Sequence, residues 1–394
     1  MVVQTIQSVG LRMSYNKIFK FNIMEIIEKG QCGERVSYEL YEDGTLKIFG
    51  VGEMYNYQSN KYSPFYEFQG IIKKIIVSLG VTSIGNRAFF ACGNIDSIDL
   101  PDSISTIGSE AFLGCNSLKK IIIPNSVTTI KSYAISSCSS LMAVKLSNSI
   151  VSFPEYLFAY CTELQSIEIP NSVTTMGAYA FKSCTSLSLI NIPDSITKIG
   201  YQAFDSCCAL DTVKIGKNAT SLSDIFKDCN KLTNITVDEC NEKFSSENGV
   251  LYNKNKSVLI KYPAYKKDTE FIVPESVIEI DCSAFAYCRF LEKITITKNV
   301  KYIRRLAFEY CESLRILNIE GKIDEIGGDA FSVCRHIFSI TVKSEIPSKV
   351  ELDNVFNWII DTARVCVPDA SIKYYKAARG WNRFTNYVAI EDEN

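Results

Sequence analysis

Six cysteines stand at 92, 115, 138, 161, 184 and 207, each 23 residues after the one before. Around each, the same unit recurs. Residues 117–138 read SLKKIIIPNSVTTIKSYAISSC and residues 163–184 read ELQSIEIPNSVTTMGAYAFKSC. Each unit has a Leu-x-x-Ile-x-Ile run, a Pro-Asn-Ser or Pro-Asp-Ser turn, a second apolar pair, an aromatic and then the cysteine. A fixed period of this length marks a solenoid, in which one unit cannot bury its apolar face alone and does so against its neighbours. Such a stack grows along one axis, so 394 residues need not share one rounded core.

The apolar runs are predicted strands: 75–77, 98–100, 121–123, 144–146, 167–169, 190–192, 213–215 and 235–237, resuming at 294–296, 317–319 and 340–342. In a strand the first and third residues share a face, so both point inward and the middle one points out. Pro101, Pro124, Pro170 and Pro193 end the strand and start the turn. Pairs such as Ala111-Phe112, Ala180-Phe181 and Ala203-Phe204 then open a short helical turn expected to run to the cysteine. Cys229, Cys288, Cys311 and Cys334 extend the ladder. Equivalent positions in a stack form columns. The cysteine column, expected to be reduced, and the spine of Phe89, Phe112, Phe158, Phe181, Phe204, Phe226, Phe285, Phe308 and Phe331 are therefore read as core packing.

The flanks break the period. Residues 1–29 are read as a tail or helix. Residues 30–70 are an N-terminal cap, because two alternating runs flank Asp43-Gly44 as in a β-hairpin. The solenoid covers 71–346, with a hairpin insertion at about 240–270 read as a protruding or widened rung. Residues 347–394 are an α+β C-terminal cap: a strand at 363–368, a helix at 371–378 stopped by Gly380-Trp381, and a strand at 387–390.

Composition narrows function mainly by exclusion. There are 42 basic and 44 acidic side chains with no block of one sign, which argues against a nucleic-acid binder. No run of eighteen apolar residues predicts a membrane span. Residues 1–29, interrupted by Arg12, Lys17, Lys20 and Glu25, do not read as a signal peptide. The single histidine, His336, supports no multi-histidine metal site. A Cys–His nucleophile would need Cys334, which belongs to the ladder, where burial blunts a thiol. Of the vicinal pair Cys207-Cys208 only Cys207 fits the ladder, and Cys282 and Cys288 lack a second pair at zinc spacing. No phosphate loop, dinucleotide fingerprint or Gly-x-Ser-x-Gly appears. No catalytic residue, cofactor or metal is predicted.

The unit Leu-x-x-Ile-x-Ile-Pro-x-Ser-Val-Thr-x-Ile-Gly-x-x-Ala-Phe-x-x-Cys resembles the BspA-like class of leucine-rich repeat, most closely at 164–184 and 187–207 and in all over about 71–342. Gly30-Gln31-Cys32-Gly33 with Asp43-Gly44-Thr45-Leu46 resembles its N-terminal cap, and Val367-Pro368 through Gly380-Trp381 its C-terminal segment. Residues 249–263 resemble an insertion the family often carries. The resemblance implies an α/β leucine-rich-repeat solenoid, a horseshoe or gently curved stack. It also implies a cell-surface or secreted location, adhesion to host proteins, matrix or other cells, and no catalysis. The sequence departs from the family in showing no recognisable signal peptide and no C-terminal sorting motif.

The expected binding surface is the concave strand face. Its outward column holds Asp99, Ile122, Lys145, Glu168, Asn191 and Lys214, with Lys120 and Leu189 in the neighbouring column. Ile76, Thr236, Thr295, Asn318 and Thr341 continue it. Ten rungs about 4.8 Å apart span roughly 50 Å, enough for a protein ligand. Lys145, Glu168 and Lys214 mix signs, which suits a polar protein partner better than a polyanion. The function read from this is non-enzymatic binding or adhesion at the cell surface. An intracellular scaffold is the alternative, and a hydrolase with an unrecognised site the third reading.

Overall fold

The computed structural model describes residues 24–390 except 223 and 362. Most of the segment read as a tail or helix therefore lies outside the described residues. The chain winds into a β-solenoid of about 14 turns of about 23 residues. Two columns of short strands run along it. In the first, Thr212–Ile215 pairs in parallel register with Leu189–Ile192 on one side and Asn234–Val237 on the other. Further on, Lys293–Ile296, Ile316–Ile319, Ser339–Val342 and Arg364–Val367 pair in the same way. The second column forms at the Val-Thr-x-Ile segment, where Ser152–Phe153, Thr175–Met176 and Lys198–Ile199 are neighbours. The rung at 167–169 keeps the alternation, with Ile167 and Ile169 inside and Glu168 exposed, but it forms no strand ladder.

The third side of each turn differs from the expected helix. Two residues per turn take left-handed backbone, for example Tyr179 (φ 58°) and Ser183 (φ 56°), or Tyr156 (φ 56°) and Tyr160 (φ 63°). An α-helix of L-residues cannot contain such angles. Instead, N–H groups point along the stack. Phe89 donates to the Ala111 carbonyl at 2.9 Å, Ala91 to Leu113 at 2.8 Å, and Phe181 to Ala203 at 2.8 Å. This side is a third hydrogen-bonded ladder, which satisfies backbone groups that a helix would have satisfied internally.

Both side-chain columns lie in the core. Spine rings stack with centroids 5.4 Å apart at Phe89–Phe112, 5.5 Å at Phe158–Phe181 and 5.0 Å at Phe308–Phe331. Ile135 takes the ring's place in one rung, and Phe153 packs edge-on against Phe158 and Phe181 beside it. The ladder thiols are free and buried. Nine of the ten, all but Cys288, also have a bonding role that packing alone does not require. Cys115 Sγ donates to the Phe89 carbonyl (3.4 Å), Cys161 to Ile135 (3.2 Å), Cys184 to Phe158 (3.1 Å) and Cys334 to Phe308 (2.9 Å). Burial pushes the thiols of Cys115, Cys161 and Cys207 up, and those of Cys92, Cys138 and Cys184 to about 12. They stay protonated and able to donate.

The N-terminal cap has three antiparallel strands. The hairpin Val36–Tyr41 and Thr45–Gly50 is joined by Ile26–Gln31, so residues 26–29, grouped with the tail above, belong to the sheet. Gly44 (φ 86°) makes the hairpin turn; a Cβ there would meet the Ile71 carbonyl at 2.5 Å. Thr45–Gly50 then pairs in parallel with Lys74–Val77 and starts the stack. At the far end, the helix Ile372–Ala377 and the strand Tyr387–Ala389 close the core. Trp381 is buried against Phe356, the last spine ring, and its indole N–H donates to the Ser348 carbonyl at 3.0 Å.

The insertion is a widened rung. Phe244–Glu247, Val250–Asn253 and Val258–Lys261 form an antiparallel meander whose last strand opens a new parallel column. Val250, Leu251 and Tyr252 are buried, so the meander sits within the stack. Here the core divides. One cluster runs from Cys32 to Ile235 with Leu251, the other from Val250 to Phe384. At this seam Tyr262 takes a spine position, stacking on Phe285 at 5.1 Å. Lys261 then falls where other rungs have alanine; its buried ammonium donates to the Ser283 carbonyl at 2.8 Å.

Candidate binding surface

Strand alternation drives two residues of each rung inward and leaves the one between them in solvent. Asp99, Lys120, Ile122, Lys145, Glu168, Asn191 and Lys214 are all exposed. Register aligns them: Ile76 faces Asp99, Ile122 faces Lys145, and Asn191 faces Lys214, which faces Thr236. Asp99 is tied to Lys74 at 3.4 Å. Among the described residues, Lys120, Lys145, Glu168 and Lys214 have no ion partner within 4.0 Å.

Three exposed residues flank this column: Leu189, expected from the sequence in the column of Lys120, and Lys119 and Met142, which were not singled out. Lys119 and Met142 occupy equivalent positions one rung apart. Met142 and Leu189 are 44% and 53% exposed, as open as Ile122 at 46%. The 23-residue period that located Lys145 would have located Lys119 and Met142 too. Together they set uncommitted lysines among exposed apolar side chains.

The face is not continuous. Strand pairing lapses at the 167–169 rung, and the column stops at Asn234–Val237 and begins again at Glu270–Ile272, with the meander between. Thr295, Asn318 and Thr341 therefore belong to a second panel, where Lys293 is tied to Glu270 at 3.1 Å. No Cys–His dyad forms. Cys334 bonds into the ladder, while His336 Nδ1 lies 2.6 Å from the Glu312 carbonyl at the surface. Among the described residues no group of three or more His, Cys, Asp or Glu side chains could hold a metal ion. No described helix is long and apolar enough to cross a membrane.

Parallel rungs of one length, an inward Leu/Ile lattice and a cap at either end define a leucine-rich-repeat solenoid. More narrowly, the family model of the BspA type leucine rich repeat region matches in six copies, at residues 61–165, 151–263 and 260–357. The chain belongs to that family. Among solved structures it is similar to a leucine rich cell surface protein from Faecalibacterium prausnitzii A2-165, with 24% identity over 91% of this chain and 94% of that one and a TM-score of 0.59. It is also similar to a leucine-rich repeat protein from Bacteroides ovatus ATCC 8483, with 21% identity over 91% and 99% and a TM-score of 0.52. At these identities the likeness is one of fold. No curated protein sequence matches the chain.

Proposed function

We propose that this is a non-enzymatic binding protein, displayed on the cell surface or secreted, that holds a protein partner on the first strand panel. One observation carries the reading: a column of exposed side chains from Asp99 to Lys214 in which four charges have no internal partner. A solvated charge free of intramolecular pairing can be given to a partner without breaking a bond in the fold, and mixed signs select among partners. Leucine-rich-repeat proteins commonly act through such surfaces, and the F. prausnitzii neighbour is described as a cell surface protein. Replacing Lys145, Glu168 and Lys214 together should weaken capture of matrix or neighbouring-cell proteins while the melting temperature stays put. Undiminished capture would reject this panel.

A second reading has its own observation. All fifteen cysteines are free, and Cys240 and Cys282 are exposed. Exposed thiols without disulfides suit a reducing compartment, so an intracellular scaffold with the same panel is the alternative. Membrane-impermeant biotin on intact cells separates the two: labelling supports display, and labelling only after lysis supports the scaffold.

A further inference from the structure

The N-terminal cap carries a cavity of about 530 Å³ whose lining includes Glu28, Tyr38, Tyr62, Tyr66 and Glu67. Tyr62 and Tyr66 stack with centroids 4.1 Å apart, forming one wall. Tyr38 is 6% exposed and held edge-on against Phe65 at 5.0 Å. Its hydroxyl has no hydrogen-bond partner among the described residues, although the ring is buried and the side chain lines the cavity. The oxygen itself is not one of the buried polar atoms left unpaired; it opens to the cavity. Glu28 and Glu67 add two carboxylates, and neither has an ion partner among the described residues. No lysine, arginine or histidine lines the cavity.

Electron-rich ring faces and uncompensated carboxylates both attract a cation. Two carboxylates fall short of the three or more His, Cys, Asp or Glu side chains of a metal-holding group, and no such group occurs among the described residues. Part of the lining is ring rather than oxygen donor, which suits an organic cation and not a hard metal ion. The Tyr38 oxygen, open to the cavity and free of a protein partner, can accept an N–H. We propose that this cavity binds a protonated alkylamine: the ammonium lies between Glu28 and Glu67, donates to Tyr38 Oη, and rests its alkyl chain on the Tyr62–Tyr66 wall. A free amine or the lysine side chain of a partner would present the same group. The site is independent of the strand panel.

Calorimetric titration of the full chain with n-butylammonium tests this, with 1-pentanol as the uncharged match and tetramethylammonium as a cation lacking N–H. Butylammonium should bind and pentanol should not. Glu67→Gln and Tyr38→Phe should each weaken butylammonium by about threefold or more, in line with exposed charged contacts. Glu42→Gln, outside the cavity, should leave binding unchanged. Tyr62→Phe keeps the wall and should retain binding, whereas Tyr62→Ala should lose it with little change in melting temperature, since Tyr62 is exposed. A peptide with one lysine, compared with its Nε-acetyl form, separates the sources. Lysine-dependent binding tighter than butylammonium assigns a partner's lysine, and weaker binding assigns a free amine. Equal binding of butylammonium and pentanol, tighter binding of tetramethylammonium, or indifference to Glu67→Gln would each overturn the proposal.

Discussion

Phe181→Ala tests the stack at a rung where one ring meets three others. The ring is fully buried, lies 5.5 Å from Phe158 and 5.4 Å from Phe204, and meets Phe153 edge-on at 6.0 Å. Truncating a buried Phe costs about 3–5 kcal/mol. Three ring partners, each worth about 0.5–1.5 kcal/mol beyond area, favour the upper part of that range. The rung cannot collapse to refill the space, because its spacing is fixed by backbone ladders above and below. Take a loss of about 4 kcal/mol and an unfolding entropy of about 2.1 cal/mol/K per residue. If the cluster from Cys32 to Ile235, about 200 residues, melts as one block, the melting temperature falls by about 10 °C. If both clusters melt together, the fall is about half as large. Calorimetry on the wild type, Phe181→Ala and Phe181→Leu reads the loss and the size of the cooperative unit together. Phe181→Leu keeps most of the volume and should cost about a third as much. A shift under about 1 °C for Phe181→Ala, or equal shifts for the two variants, would refute the spine as the source of stability.

Two further outcomes follow from the thiols and the seam. Iodoacetamide on the native protein should modify Cys240 first, Cys282 more slowly because burial and the Asp281 carboxylate push its thiol up, and half-buried Cys208 after that. The ladder thiols should react only after unfolding, and rapid labelling of Cys334 would break the ladder assignment. Asp224 and Asp281 are held above the usual carboxylate range, chiefly by burial. A raised native pKa means the folded chain binds the extra proton, so stability falls as pH rises from about 4 through the raised values. Asp224→Asn keeps an oxygen to accept the Gln202 amide and should raise the melting temperature at pH 7 but not at pH 3. A melt that drops at pH 7 would reverse that sign.

Much of this was legible in the sequence because the inward lattice repeats with the chain's own period. Ile98, Ile121, Ile167 and Ile190 are buried for the reason that made them recognisable. The outward residues followed by alternation. The turn side was not legible. Its left-handed positions are held by Tyr179, Ser183, Tyr160 and Leu306, where composition gives no sign of φ above zero; Gly114 is the exception. The thiol hydrogen bonds were also hidden, because a buried cysteine column reads equally well as small apolar packing. Ile26–Gln31 was missed because Glu-Lys-Gly-Gln interrupts its apolar residues and its pairing partner lies beyond a turn. In the insertion, Val250, Leu251 and Tyr252 are buried side by side, which alternation does not anticipate.

The seam also bears on where a partner can sit. A solenoid of uniform rungs would offer one long wall, and its ends would be equivalent to its middle. Here the wall is cut at Val237 and resumes at Glu270, with a separate core beneath each panel. A ligand spanning both panels would have to cross the edge of the meander, where regular rung spacing is lost. A ligand held by the first panel alone meets exposed side chains from Asp99 to Lys214 on one continuous core, with Lys119, Met142 and Leu189 beside them. In the second panel Lys293 is tied to Glu270, as Asp99 is tied to Lys74 in the first. Division of the core thus gives each panel its own support, and the proposed function places recognition on the first, whose core does not depend on the second.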